Sequence, residues 1–113
     1  MKNIISVADF FSVDIRIGKI ISATAFIHAK KSAYILEIDF GNEIGCKRSS
    51  AQITKKYSTD ELIGKQIVAV VNFPPKQIAN MISEVLVLGV TSDDGSVILL
   101  EPEREVTVGS AIS

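Results

Sequence analysis

The sequence predicts an all-β domain: a small five-stranded barrel with one short helix between strands three and four and an extension at each end. Three observations carry this. Apolar side chains recur at every second position of "AYILEIDF" (33–40), the period of a half-buried strand. Short β-type runs follow one another at close spacing with turn residues between them, and nothing alternates strand with long helix as a βαβ fold would. Between the third and fourth runs, "YSTDELIG" (57–64) carries the start and stop signals of a short helix.

In chain order, "VADFFSV" (7–13) fits one helical turn that packs Phe10 and Phe11. "DIRIGKIISATAF" (14–26) sets Ile15 and Ile17 against Arg16, with Gly18 where a long strand can bend or bulge at a barrel corner. In the second strand Tyr34, Leu36, Ile38 and Phe40 share one face, and Glu37 and Asp39 lie on the other. "GNEIG" (41–45) is turn chemistry, so residues 33–53 read as a hairpin, and its second arm, "CKRSSAQI", is polar for a strand of so small a domain. Ser58 and Glu61 have capping-box spacing and Gly64 closes the helix. "KQIVAVVNF" (65–73) and "EVLVLGV" (84–90) are rich in β-branched residues, as central strands are. Ser92-Asp93-Asp94-Gly95 is a turn, "SVILLE" (96–101) a further strand, and Pro102 breaks it before an acidic tail. Three strands, a helix and two strands is the oligonucleotide/oligosaccharide-binding arrangement, the OB-fold, with the helix plugging one end. No repeat or linker divides the chain, so residues 1–113 are expected to be a single domain.

A chain of 113 residues with 47% hydrophobic composition can bury one core but leaves much of its surface wet. The apolar residues near its ends, Ile4, Ile5, Val106, Val108 and Ile112, therefore favour a homodimer interface. Net charge −1 argues against coating nucleic acid through total charge, although basic pairs stand at Lys30-Lys31, Lys47-Arg48 and Lys55-Lys56. The short apolar stretch after Met1-Lys2-Asn3 is broken by Asp9, which does not fit a signal peptide, and no run approaches the ~20 apolar residues of a membrane span. Cys46 is the lone cysteine. A cytoplasmic protein without membrane insertion is expected.

Catalysis finds little support. One His and one Cys, eighteen residues apart, cannot make a zinc site, so no metal is expected. Cys46 has no evident base, His28 in "FIHAKKS" reads as a surface loop residue, and "GNEIG" lacks the lysine and following helix of a phosphate loop. Neither enzyme activity nor a cofactor is expected. Two polar clusters remain: Lys47, Arg48, Ser49, Ser50 and Gln52 on the hairpin arm, and Asn72, Lys76, Gln77 and Ser83 around the loop after strand four. An OB barrel brings these together on its ligand face, where cations neutralise phosphate and Ser, Asn and Gln reach sugar or base edges. Stacking aromatics are few, with Tyr34, Tyr57 and Phe73 the candidates, which favours the shape of a folded RNA over a single strand.

"DIRIGKI" (14–20), "DFG" (39–41), "LIGKQIVAVVNF" (62–73) and "SEVLVLG" (83–89) resemble the tRNA-binding domain of bacterial methionyl-tRNA synthetase C-termini and of free-standing tRNA-binding proteins. Within that family, "SSAQITKKY" (49–57) and "VNFPPKQIA" (71–79) resemble the CsaA group of export-related chaperones. The resemblance covers nearly the whole chain. It implies an OB-fold homodimer whose terminal extensions help build the interface, and a tRNA-binding-type face carrying Asn72, Lys76 and Ser83. The function it implies is an ATP-independent molecular chaperone that binds unfolded or precursor polypeptides in protein export, with export machinery among its partners. The alternative is a structure-specific tRNA-binding protein.

Overall fold

In the computed structural model, which describes residues 1–113, the chain runs through helix α1 (Val7–Phe11), strands β1 (Ile15–Ala25) and β2 (Tyr34–Asp39), a single helical turn α2 (Gly41–Ile44), strand β3 (Cys46–Ala51) and helix α3 (Thr59–Leu62). Strand β4 (Gln66–Val70) follows, then a hairpin of β5 (Lys76–Ile78) and β6 (Met81–Ser83), strand β7 (Leu86–Val87), and a second hairpin of β8 (Gly89–Thr91) and β9 (Val97–Leu99). The central sheet has the order β3-β2-β1-β4-β7, with every pairing antiparallel. This is the expected five-stranded, nearly closed barrel with a helix between its third and fourth strands.

Long β1 organises it. Its first half pairs with β4 (Arg16↔Ala69, Gly18↔Ile67) and its second half with β2 (Ile20↔Ile38, Ala23↔Leu36). The register shifts between Ile20 and Ser22, so the irregularity lies beyond Gly18, where the sequence placed the bend. Gly18 is required for a different reason: a Cβ there would stand 2.5 Å from Ile38 Cγ2 and 2.6 Å from Phe40 Cε1. Two large buried side chains cross the strand at a point that only glycine leaves open.

The inner face is apolar apart from Ser49, with Ile20, Leu36, Ile38 and Ile67 wholly buried. Leu62 of α3 enters from one end and is equally inaccessible, a burial that stabilises by about 1.5–3 kcal/mol. The capping box forms as the spacing predicts: Glu61 N donates to Ser58 Oγ at 3.3 Å and Ser58 N to Glu61 Oε1 at 2.7 Å. Just beyond, Gly64 N donates to Ile20 O at 2.8 Å and Ile20 N to Lys65 O at 2.9 Å, which fixes the plug against β1.

The barrel closes between β3 and the segment entering β7, largely through side chains. Glu84 N donates to Arg48 O at 2.8 Å, and Arg48 N donates to Glu84 Oε1 at 3.0 Å. Ser50 N donates to Ser83 Oγ, and Ser49 Oγ to Val85 O, both at 3.1 Å. Without a regular ladder between β3 and this segment, their backbone groups are satisfied by these bonds. Part of the polarity of "KRSS" and "SEV" serves that seam.

The run expected as one fifth strand divides at Leu88. β7 pairs with β4 (Ala69↔Val87), while β8 turns away to pair with β9 (Val90↔Ile98). Gly89 permits the change of partner, since a Cβ there would lie 2.5 Å from Val97 Cγ1.

Both termini return to the start of β1. The C-terminal tail lies along its first half: Gly109 N donates to Ile17 O at 2.7 Å, Ile17 N to Ser110 O at 2.9 Å, and Ile112 N to Ile15 O at 2.9 Å. Arg16 pins this tail through Nη1 to Gly109 O at 3.1 Å, held in turn by Asp14 at 2.6 Å. At the other terminus α1 has its own capping box, Asp9 N to Ser6 Oγ and Ser6 N to Asp9 Oδ2. Phe10 and Phe11 stay out of the core, at 41% and 58% exposure. They meet each other edge to face with centroids 5.3 Å apart, and no residue of α1 is buried. No helix is long and apolar enough to cross a membrane.

Candidate nucleic-acid interface

Side chains alternate along a strand, so the consecutive polar residues of β3 cannot share a face. Arg48, Ser50 and Gln52 take the outward parity. Ser49, expected among the ligand-facing groups, is 1% exposed and spends its hydroxyl hydrogen on Val85 O, so the structure places it in the barrel wall. Lys47 shares its parity at the strand's open end, half-buried, with Nζ 3.8 Å from Glu84 Oε2. Arg48 stands opposite Glu37 of β2 in the register.

The segment after β4, read from sequence as a polar loop, is a hairpin. Its β6 residue Met81 is buried with Phe26 and Ala33, and Ile35 and Ile78 pack beside them. This second small core fastens the hairpin to the outer side of β2 and to the β1–β2 loop. The turn is Ala79-Asn80, with Ala79 at φ 50°, and Gln77 Nε2 donates to Ala79 O at 2.8 Å to brace it.

Two clefts flank this hairpin, and Ser50 and Ile78 line both. The first, about 310 Å³, has an apolar side made by Phe73, Pro74, Val85 and Leu86, with Lys76 and Glu84 also in its wall. The second, about 440 Å³, lies between the hairpin and the β1–β2 loop and gathers His28, Lys30, Lys31 and Gln52.

Of the residues singled out in the sequence, the structure brings Lys76, Ser83 and Ser50 to the first cleft and Ser50 and Gln52 to the second. Asn72 is otherwise engaged: its Oδ1 accepts from Asp14 N and its Nδ2 donates to Ser12 O, both at 2.9 Å. Lys30, Lys31, Arg48 and Lys76 have no carboxylate within 4.0 Å. Lys55 and Lys56 sit elsewhere, against the 92–95 turn, with Lys56 Nζ 3.3 Å from Asp94 Oδ2 and Lys55 Nζ 3.5 Å from Asp94 O. Hydrogen bonds from the Ser92 and Ser96 hydroxyls, then from Ser96 N and Lys56, hold the Asp94 carboxyl well below the usual carboxylate range. Sequence reasoning read His28 as a surface loop residue and noted the Lys30-Lys31 pair, but placed none of the three at the site. The available signal was a basic pair in the loop joining the first two strands, one of the loops an OB barrel uses for ligands.

The apolar residues near the ends are largely uncovered. Ile4 is 91% and Ile5 64% exposed, Val106 and Ile112 are partly so, and Val108 is half-buried beside Gly41.

Three comparisons bear on this arrangement. The chain is 52% identical to the chaperone CsaA of Bacillus anthracis str. Ames, with a TM-score of 0.92 over 98% of this chain and 100% of that one. It is 55% identical to the CsaA chaperone protein of Picrophilus torridus, with a TM-score of 0.91 over 97% and 100%. Against the methionine–tRNA ligase of Thermococcus onnurineus it is 35% identical over 105 residues, which are 92% of this chain and 14% of the ligase. The chain spans 14 to 16% of the length of the curated relatives it matches. The family model described as "Putative tRNA binding domain" matches residues 15–111, and the chain belongs to that family.

Proposed function

We propose that this protein is a non-catalytic, ATP-independent chaperone of the CsaA type: a cytoplasmic homodimer that holds non-native polypeptide in protein export. The observation that carries the reading is the half-apolar cleft beside the β5–β6 hairpin, where Phe73 and Leu86 remain about half exposed around a volume of about 310 Å³. Unfolded clients present apolar side chains and unpaired backbone, and a holdase without an energy source captures them by binding the unfolded state. The identity of 52–55% to solved chaperones over nearly the full length supports it. The exposed Ile4 and Ile5 and the partly exposed Val106 and Ile112, with half-buried Val108, support a two-fold dimer built from both ends of the chain. In an aggregation assay the protein is expected to suppress precipitation of a denatured client stoichiometrically and without ATP. No suppression at several-fold molar excess would overturn the reading.

A second reading, a structure-specific tRNA-binding protein, is favoured by a different observation. Four cations without acidic partners, Lys30, Lys31, Arg48 and Lys76, lie on or beside the clefts that flank one hairpin. Binding to total tRNA that weakens steeply with salt would support it.

A further inference from the structure

We propose that the cleft between the β1–β2 loop and the β5–β6 hairpin is the principal phosphate-binding site of the nucleic-acid face, taking the RNA backbone on Lys30 and Lys31. The inference rests on the RNA-binding reading and deepens it.

The charge around the two clefts decides between them. On β3, Lys47 lies 3.8 Å from Glu84, while Arg48, though without an ion pair, stands across the ladder from Glu37. Glu84 also lines the first cleft beside Lys76. The second cleft contains His28, Lys30 and Lys31 and no carboxylate. In a chain of net charge −1, it is where two adjacent ammonium groups go uncompensated, and a phosphodiester can release counterions there without competing with an internal acid.

The site is also held in shape. Phe26 N donates to Ala33 O at 3.0 Å across the base of the loop, and Ala29 N to Phe26 O at 3.3 Å. Thr54 Oγ1 donates to Ser32 Oγ at 2.9 Å, and buried Phe26 and Ala33 pack on Met81 of the hairpin. A loop already ordered loses little entropy when it binds. Gln52 and Ser50 on the β3 wall supply neutral groups suited to a ribose 2′-hydroxyl, the group that distinguishes RNA from DNA. Because Ser50 and Ile78 border both clefts, a strand crossing the hairpin passes from Lys30 and Lys31 to Lys76.

The test compares Lys30→Gln/Lys31→Gln with Lys55→Gln/Lys56→Gln in binding to fluorescent total tRNA between 50 and 200 mM salt. Loss of two phosphate contacts should weaken binding on the order of 50-fold near 0.1 M salt and flatten the log–log salt slope by about 2. The second variant should stay within about twofold of wild type, since its lysines face the 92–95 turn. All four lysines are exposed, and thermal melting checks that both variants fold. Tight tRNA binding by wild type together with an unchanged Lys30→Gln/Lys31→Gln variant would overturn this inference alone. Absence of tRNA binding by wild type at 50 mM salt would overturn the RNA-binding reading and the inference with it. Loss of denatured-client capture in the same variant, with tRNA binding intact, would give the cleft to polypeptide and overturn it as well.

Discussion

Asn72 separates a positioning role from a contact role. It lies just past β4, where Val71 N donates to Asp14 O at 2.9 Å, and its amide spans the end of α1 and the start of β1 through the 2.9 Å bonds to Ser12 O and Asp14 N. None of the five residues of α1 is buried in the core, so packing contributes little to holding the arm, and so short a helix does not persist alone. Asn72→Ala removes both bonds. At about 0.5–1.5 kcal/mol each, and toward the low end because the site is exposed, the arm should lose about 1–2 kcal/mol. That is a factor of roughly 5–30 in its opening equilibrium. Hydrogen exchange at the Ser12 and Val13 amides, which bond to Ala8 O and Phe10 O, should accelerate by about that factor, while core amides of β1 and β2 keep their protection. Binding to tRNA should hardly change. Unchanged arm protection with a large loss of tRNA affinity would refute the argument and make Asn72 a ligand contact.

Three further outcomes follow from the geometry. Gly18→Ala should destabilise the barrel, because its Cβ would lie 2.5 Å from Ile38 Cγ2 beside buried Phe40. Overpacking of about 1–3 kcal/mol exceeds the ~0.4–1 kcal/mol gained in the unfolded state, and denaturant titration should show a net loss. Asp94 has a folded pKa below its ordinary value, so its contribution is present above about pH 4 and disappears as pH falls through the lowered folded value. Asp94→Asn should remove that acid-range dependence, read from the Ser96 amide shift across a pH titration. Finally, Arg48→Gln should flatten the tRNA salt slope by about one unit, and Lys47→Gln by clearly less, because Lys47 is already opposed by Glu84. Equal effects would mean the two faces of β3 are not distinguished by the ligand.

The barrel was legible where local chemistry and tertiary packing agree. The alternation from Tyr34 to Phe40 needs only the pleat, and the Ser58–Glu61 box only its own spacing. The β5–β6 hairpin was hidden because two prolines precede it and its turn, Ala79-Asn80, contains no glycine. Ala79 is held at positive φ while Met81 docks on Phe26 and Ala33, which no local pattern announces. Gly18 advertised a bend but serves a close crossing by Phe40, and Gly89 advertised nothing yet lets the chain leave β4 for β9. At the site, residue type pointed to β3 and to the segment after β4, parts of which line the two clefts. It did not reveal that the hydroxyl groups of Ser49 and Ser83 are committed to the seam, nor that parity sends Ser49 inward. The cations of the β1–β2 loop look like ordinary solvated charge until the hairpin stands beside them.

The central claim, capture of non-native polypeptide at the half-apolar cleft beside the β5–β6 hairpin, is tested most directly on one preparation without ATP. Anisotropy of a labelled, chemically denatured client is followed as protein is added, then as unlabelled total tRNA is titrated into the complex. The account predicts saturable capture, with excess tRNA displacing the client because both ligands use Ser50, Ile78 and Lys76. No client capture at several-fold molar excess, with tRNA binding intact, would contradict it.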